Sequence, residues 1–132
     1  MLIRIFISFI TMLSLDFLWI GVIAKNTYFK AYGHILRLEN GQLMPIWWSA
    51  AIVYLALIFG VHYFGLSMAK YSMMQAIVHS AIFGWVAYAI YDFTCLALFK
   101  DWPIGVTVID CLWGGVLCGL TAFLTLWLEK WV

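Results

Sequence analysis

The chain has 132 residues, 67% of them hydrophobic and only 10% charged, with a formal net charge of +1. Soluble domains carry about 25% charged residues, so the composition excludes an ordinary soluble fold and points to an all-α membrane protein. The near-neutral balance also excludes an electrostatic footprint for nucleic acid and leaves membrane lipids as the surrounding partner.

The first apolar stretch, 2–24, meets the length of about 20 residues that a membrane helix needs. It is too long for a signal peptide and lacks a small-residue cleavage site, so it is expected to persist as a helix. It carries Asp16, with Met12, Leu13, Trp19 and Ile23 on the same face. The connection from Lys25 to Leu43 is the longest in the chain. Within it, Asn26, Lys30, His34 and Arg37 form a polar stripe, and Tyr28, Phe29, Tyr32, Ile35 and Leu36 lie opposite. This spacing predicts an amphipathic interfacial helix over 27–38, stopped by Asn40-Gly41, which either roofs the side nearest the acids or serves only as an interfacial anchor. The second span, 46–66, follows Pro45. The third, 73–99, carries Asp92 on a face with Trp85, Tyr88 and Cys95. The fourth, 103–128, starts at Pro103 and groups Asp110 with Thr107, Trp113 and Gly114. Proline is tolerated at a helix start because the missing N–H has no partner there. Trp47, Trp48 and Trp102 read as one interfacial belt, and Trp127 and Trp131 as the other. The expected architecture is a single domain, 1–132, with four transmembrane helices in an antiparallel bundle plus the interfacial helix.

The three intramembrane acids are the most informative feature. A central Asp costs roughly 2.5–3.5 kcal/mol on insertion, so three cost on the order of 8–10 kcal/mol before any pairing. Four alternating helices bring the end of the first, the end of the third and the start of the fourth to one side. Counted from Lys25, Lys100 and Trp102 at about 1.5 Å per residue, Asp16, Asp92 and Asp110 all lie roughly 12–14 Å below that interface. Carboxyls that meet in a poorly hydrated place cannot all be ionised and must share protons. Trp19 and Trp113, Tyr88 and Tyr91, and Thr94 and Thr107 are candidate donors to their oxygens. The alternative is that each acid merely ties two helices together. Asp16-Phe17-Leu18-Trp19-Ile20-Gly21 and Asp110-Cys111-Leu112-Trp113-Gly114-Gly115 agree at four of six positions. Helices one and four run antiparallel, so the pair has the form of a local inverted repeat.

The remaining motifs read more blandly. Cys95, Cys111 and Cys118 form no C-x-x-C and suit small packing residues better than a metal site. His62 and His79 lie toward the opposite face, on the two helices of one hairpin, where a haem or metal is a minor alternative. No cofactor or metal is expected. Gly115-x-x-x-Gly119 predicts close packing on a neighbouring helix, with a homodimer through that face as the other option. Arg4, Lys70 and Lys130 on one side against Lys25, Lys30, Arg37 and Lys100 on the other leave orientation undecided.

These motifs together resemble domain-of-unknown-function family 2177, small bacterial four-helix membrane proteins. The matching residues are Asp16 to Gly21, Tyr28 with Gly33-His34-Ile35, Tyr54, and Tyr88-Ala89-Ile90-Tyr91-Asp92-Phe93-Thr94. Trp102-Pro103 and Val108-Ile109-Asp110-Cys111-Leu112-Trp113-Gly114 complete the set, which covers nearly the whole chain. Phe93 and Cys95 stand where leucine and asparagine are usual. The resemblance implies a multi-pass protein of the bacterial inner (cytoplasmic) membrane and brings no activity with it.

Three functions fit the sequence. The first is a site for a proton, cation or small polar solute built on Asp16, Asp92 and Asp110, with Trp19, Trp113, Tyr88, Tyr91 and Thr94 around them. The second is a membrane enzyme acting on a lipid or isoprenoid, with the carboxyls as general acid and base in an aromatic pocket. The third is an accessory subunit whose acids pair with basic residues of a partner helix.

Overall fold

A computed structural model describes all residues from Met1 to Val132. Four long helical spans, Leu2–Ile23, Trp47–Lys70, Met73–Leu98 and Ile104–Trp131, are long and apolar enough to cross a membrane. The first consists of α1 (Leu2–Leu18) and a π turn, Trp19–Ile23. A short helix, α2 (Lys25–Tyr32), follows. The second span begins as α3 (Trp47–Gly60), passes through a π turn at Val61–Gly65 and ends in a 3-10 stretch, Leu66–Lys70. The third is α4 (Met73–Leu98), and the fourth is α5 (Ile104–Leu128) with a 3-10 turn at Glu129–Trp131.

The interfacial segment departs from the helix expected over 27–38. It starts at Lys25, ends at Tyr32, and gives way to a two-stranded hairpin, β1 (Leu38–Glu39) and β2 (Gln42–Leu43). The reason lies in Asn40-Gly41. Both residues take positive φ, 50° and 75°, which is the geometry of the tight turn that matches strand twist. Asn-Gly therefore reverses the chain rather than merely ending a helix. The second span also runs past residue 66, because its π and 3-10 turns keep the backbone hydrogen-bonded to Lys70.

Helix α5 lies at the centre. Its buried face carries Val106, Thr107, Cys111, Gly114, Leu117, Cys118, Gly119, Thr121, Ala122 and Thr125. Leu117, Cys118 and Ala122 pack with Met12 of α1 and with Leu57, Ile58, Val61 and Leu66 of the second span. Two buried hydroxyls on this helix are satisfied locally: Thr121 donates to the Leu117 carbonyl at 2.7 Å, and Thr125 to that of Thr121 at 2.6 Å. Such back-bonding removes the cost of a polar group in apolar surroundings.

The α4–α5 contact is the closest in the fold. A Cβ on Gly84 would fall on the Gly114 carbonyl oxygen and 2.7 Å from Cys118, and one on Gly114 would meet the Gly84 carbonyl at 2.8 Å. Gly115 and Gly119 join the same seam: their Cβ positions would lie 3.3 Å from the Ala81 carbonyl and 3.2 Å from the Ala81 side chain. Their close approach is thus used to seat α4 within the chain, as small residues do between membrane helices.

The outer faces are apolar all round. Phe6, Ile52, Phe59, Ile90 and Leu98 are more than half exposed, as lipid-facing residues should be. At the side of the termini, Arg4 donates to Glu129 across a 2.7 Å ion pair that joins α1 to the end of the fourth span. Both partners are about a third exposed. Breaking this pair should cost no more than about 1 kcal/mol.

Candidate functional site

Asp16 sits near the end of α1, just before the π turn, and is buried. Each of its oxygens has one donor from another span. Tyr54 of α3 donates its hydroxyl to Oδ2 at 2.5 Å, and Trp113 of α5 donates Nε1–H to Oδ1 at 3.0 Å. One carboxyl thereby joins three helices. Tyr54→Phe or Trp113→Phe should each cost about 1–3 kcal/mol, because a buried acceptor loses its partner. Thermal melting in detergent reads the effect, and unchanged melting in both variants would contradict this account.

The tryptophan that follows each acid serves the other one. Trp113, three residues after Asp110, reaches across to Asp16. Trp19, three residues after Asp16, donates Nε1–H to the Tyr28 hydroxyl at 3.3 Å, and Tyr28 donates in turn to Oδ1 of Asp110. The two indoles stack between the acids, with ring centroids 4.5 Å apart and planes 10° from parallel. This exchange gives the repeated Asp-x-x-Trp a structural meaning: each indole serves the neighbourhood of the other acid, Trp113 directly and Trp19 through Tyr28. A π turn beginning at Trp19 accompanies it, and such turns frequently mark functional sites.

Helix α2 covers this end of the bundle. Tyr28 and Tyr32 share a face four residues apart. Tyr32 is buried and packs on Trp102 at 5.0 Å. Burial pushes the hydroxyls of both tyrosines well above the ordinary phenol range. The hydrogen bond to Asp110 adds to this for Tyr28, and the nearby Asp92 charge adds to it for Tyr32. Tyr28 is therefore a standing donor to Asp110 at any physiological pH. A raised folded-state value also means that stability is intact below the unfolded phenol value, about 10, and falls as pH rises beyond it. Melting temperature should drop above about pH 10, and the drop should be shallower in the Tyr28→Phe, Tyr32→Phe double variant.

Asp92 differs from the other two. It is fully buried on α4, and neither of its oxygens makes a hydrogen bond of ordinary geometry. Its electrostatic neighbour is Asp110. Thr107, also fully buried, leaves its hydroxyl without a partner. The close pairing of Gly84 with Gly114 in the antiparallel α4–α5 contact puts Thr107 of α5 at the level of Asp92. Three carboxyls were expected to be buried. Asp16 and Asp92 are, whereas Asp110 is only half-buried, because it lies at the edge of α5 beneath the short helix α2.

The other expected site residues divide. Trp19, Trp113 and Tyr88 belong to the cluster. The Tyr88 ring lies over Gly114, with Asp16 and Asp110 as its charged neighbours. Tyr91 lies at the cluster's margin, with Asp92 and Asp110 as charged neighbours, and Thr94 makes no hydrogen bond to the acids. Tyr91 is 59% exposed, its ring edge-on to Trp102, and Thr94 is exposed as well. On a helix, one position turns a side chain by about 100° and two by about 200°, so neither neighbour of Asp92 shares its face. Two tyrosines outside the expected set, Tyr28 and Tyr54, supply the shortest hydrogen bonds to the acids. Both stood among the residues carrying the family resemblance, and Tyr28 lay on the apolar stripe of the interfacial segment.

Residues 1–127 match the sequence family described as "Predicted membrane protein", domain of unknown function 2177. The chain belongs to this family. No curated protein and no solved structure matches it.

No three His, Cys, Asp or Glu side chains are placed to hold a metal ion. Cys95, Cys111 and Cys118 are buried free thiols that fill small spaces beside the acids and along the α5 seam. An apolar groove on the molecule is lined by Phe59, His62, Phe64, His79 and other residues of the second and third spans, and by none of the aspartates.

Proposed function

We propose that this chain binds and relays a proton, or a small cation in its place, at the Asp92–Asp110 pair in the membrane interior. The observation that carries this reading is Asp92: a fully buried carboxyl with two unpartnered oxygens, beside a second carboxyl. A buried charge without a partner costs several kcal/mol, and a structural tie between helices would have been given donors, as Asp16 has. The arrangement becomes favourable when a proton or cation lies between the two acids.

Access runs from the side of α2. Asp110 is the half-exposed member, Tyr28 holds one of its oxygens, and Tyr32 lies over the pair. A relay would take the charge from the interface to Asp110 and then to Asp92, with Thr107 as a further oxygen at that depth. Four α-helical spans suit the inner (cytoplasmic) membrane of a bacterium, since outer-membrane spans are barrel strands.

The two competing readings find less support. A lipid- or isoprenoid-modifying enzyme would use its carboxyls beside an apolar cavity, and the apolar groove lined by Phe59 and Phe83 is not bordered by them. An accessory subunit would keep its acids for a partner's basic residues, whereas Asp16 and Asp110 are engaged by tyrosine and tryptophan of the same chain. Purified protein in liposomes containing a pH-sensitive dye should accelerate the collapse of an imposed proton or sodium gradient over empty liposomes. Equal collapse in both, under every gradient tried, would remove the proposal.

A further inference from the structure

The hairpin of the second and third spans holds an open groove of about 920 Å3. Its walls are aromatic: Phe64 stacks on Phe83 at 5.5 Å, and Phe59 on Tyr63 at 5.6 Å. Two histidines line it, and hydrogen-bond arithmetic assigns a free nitrogen to each. His79 donates Nδ1–H to the Gln75 carbonyl at 2.8 Å, which leaves Nε2 as an acceptor. Ser8 spends its single hydroxyl hydrogen on the Ile5 carbonyl at 2.9 Å, so it accepts from Nε2–H of His62 at 2.8 Å. His62 is then left with Nδ1 as an acceptor. The groove thus pairs flat apolar walls with two imidazole acceptors whose tautomers are set by other contacts.

Depth narrows what can occupy it. The interface on this side is marked by Lys70, Tyr71 and the helix-capping Ser72, whose hydroxyl accepts from the Gln75 N–H. His79 lies about 10 Å inside that level at about 1.5 Å per residue, and His62, held by Ser8, sits no more than about two turns inside the Arg4–Glu129 pair. A phosphate or ammonium headgroup does not descend so far into hydrocarbon, because desolvating it costs too much. An uncharged head that donates a hydrogen bond does.

We propose that this groove binds a neutral, hydroxyl-bearing lipid, a prenylquinol or an isoprenoid alcohol, whose O–H donates to the free Nε2 of His79, with His62 Nδ1 left as the acceptor for any second hydroxyl. The aromatic walls hold the ring or the unsaturated tail. This site is separate from the aspartates and independent of the proposed proton relay.

The test is equilibrium binding to the full chain in phosphatidylcholine nanodiscs, with three probes: a short-tailed prenylquinol, its dimethyl ether, and a short polyprenol. Saturable binding of the quinol or the polyprenol is expected, and which of the two binds identifies the source of the hydroxyl. The dimethyl ether and the His79→Leu variant should each weaken binding at least about tenfold, the loss of one hydrogen bond, about 1.4 kcal/mol. His79 is exposed, so its variant keeps the fold, whereas His62→Ala also loses the contact with Ser8. Partitioning no greater than into empty nanodiscs would overturn the proposal. So would ether or His79→Leu binding as tight as the parent, or a histidine-dependent Soret band on incubation with haem.

Discussion

Asp92→Asn is expected to leave the protein folded and to reduce gradient collapse in liposomes to the level of empty vesicles. The two halves of this result come from one observation. Neither Asp92 oxygen accepts a hydrogen bond from a fixed donor, so an amide there displaces no partner. The amide is uncharged, and its N–H2 can donate to the neighbouring Asp110 carboxylate, so melting should be unchanged or higher. The amide, however, has no proton to exchange, and the relay would stop. Asp16→Asn should behave in the opposite way. Its oxygens accept from Tyr54 and Trp113, and an amide N–H2 would confront one of these donors, at a cost of about 1–3 kcal/mol in stability. A stable, inactive Asp92→Asn beside an unstable Asp16→Asn separates the relay from the scaffold. A fully active Asp92→Asn would end the case for a relay.

Gly84→Leu should prevent folding altogether. At this position the first added carbon already meets the Gly114 carbonyl oxygen and Cys118, and backbone atoms cannot move aside as a side-chain tip would. Overpacking of this kind typically costs about 1–3 kcal/mol, and more where the obstacle is main chain. Gly84→Ala should be measurably destabilised and Gly84→Leu absent from the folded fraction in detergent. Gly105 is the control. A Cβ there meets nothing within 4 Å, so Gly105→Ala should be neutral or stabilise by up to about 1 kcal/mol through helix propensity. Because Gly84 lies one turn from Tyr88, a partly folded Gly84→Ala should also shift the tyrosine environment around Asp16 and Asp110.

The four spans were legible because a bilayer demands long apolar runs and little else of comparable length occurs in the chain. The acids stood out for the same reason, being expensive where they are. The spacing of Trp19 from Asp16 and of Trp113 from Asp110 also carried over. What the spacing did not reveal was the exchange, in which each indole serves the other acid or the tyrosine bound to it. Tyr28 could not be singled out by pattern, since a tyrosine near a membrane interface reads first as an anchor, and Tyr54 stands on a span that carries no acid. Tyr91 and Thr94 stand close to Asp92 along the chain, but the turn of the helix leaves both side chains exposed. The interfacial helix was overextended because its polar stripe continues to Arg37, while Gly33-His34 ends it and Asn40-Gly41 reverses it.

From sequence alone follow the membrane class and the number of long apolar spans, because each is a run of apolar residues that a count along the chain reveals. Only the tertiary structure decides which side chains meet. A span surrounded by lipid is apolar on every face, so its period does not announce the inward one. The π turns at Trp19–Ile23 and Val61–Gly65 alter the facing of everything beyond them. The contrast between Asp16, held by two donors, and Asp92, held by none, depends on helix rotation and close approach at Gly84 and Gly114, which no local pattern encodes.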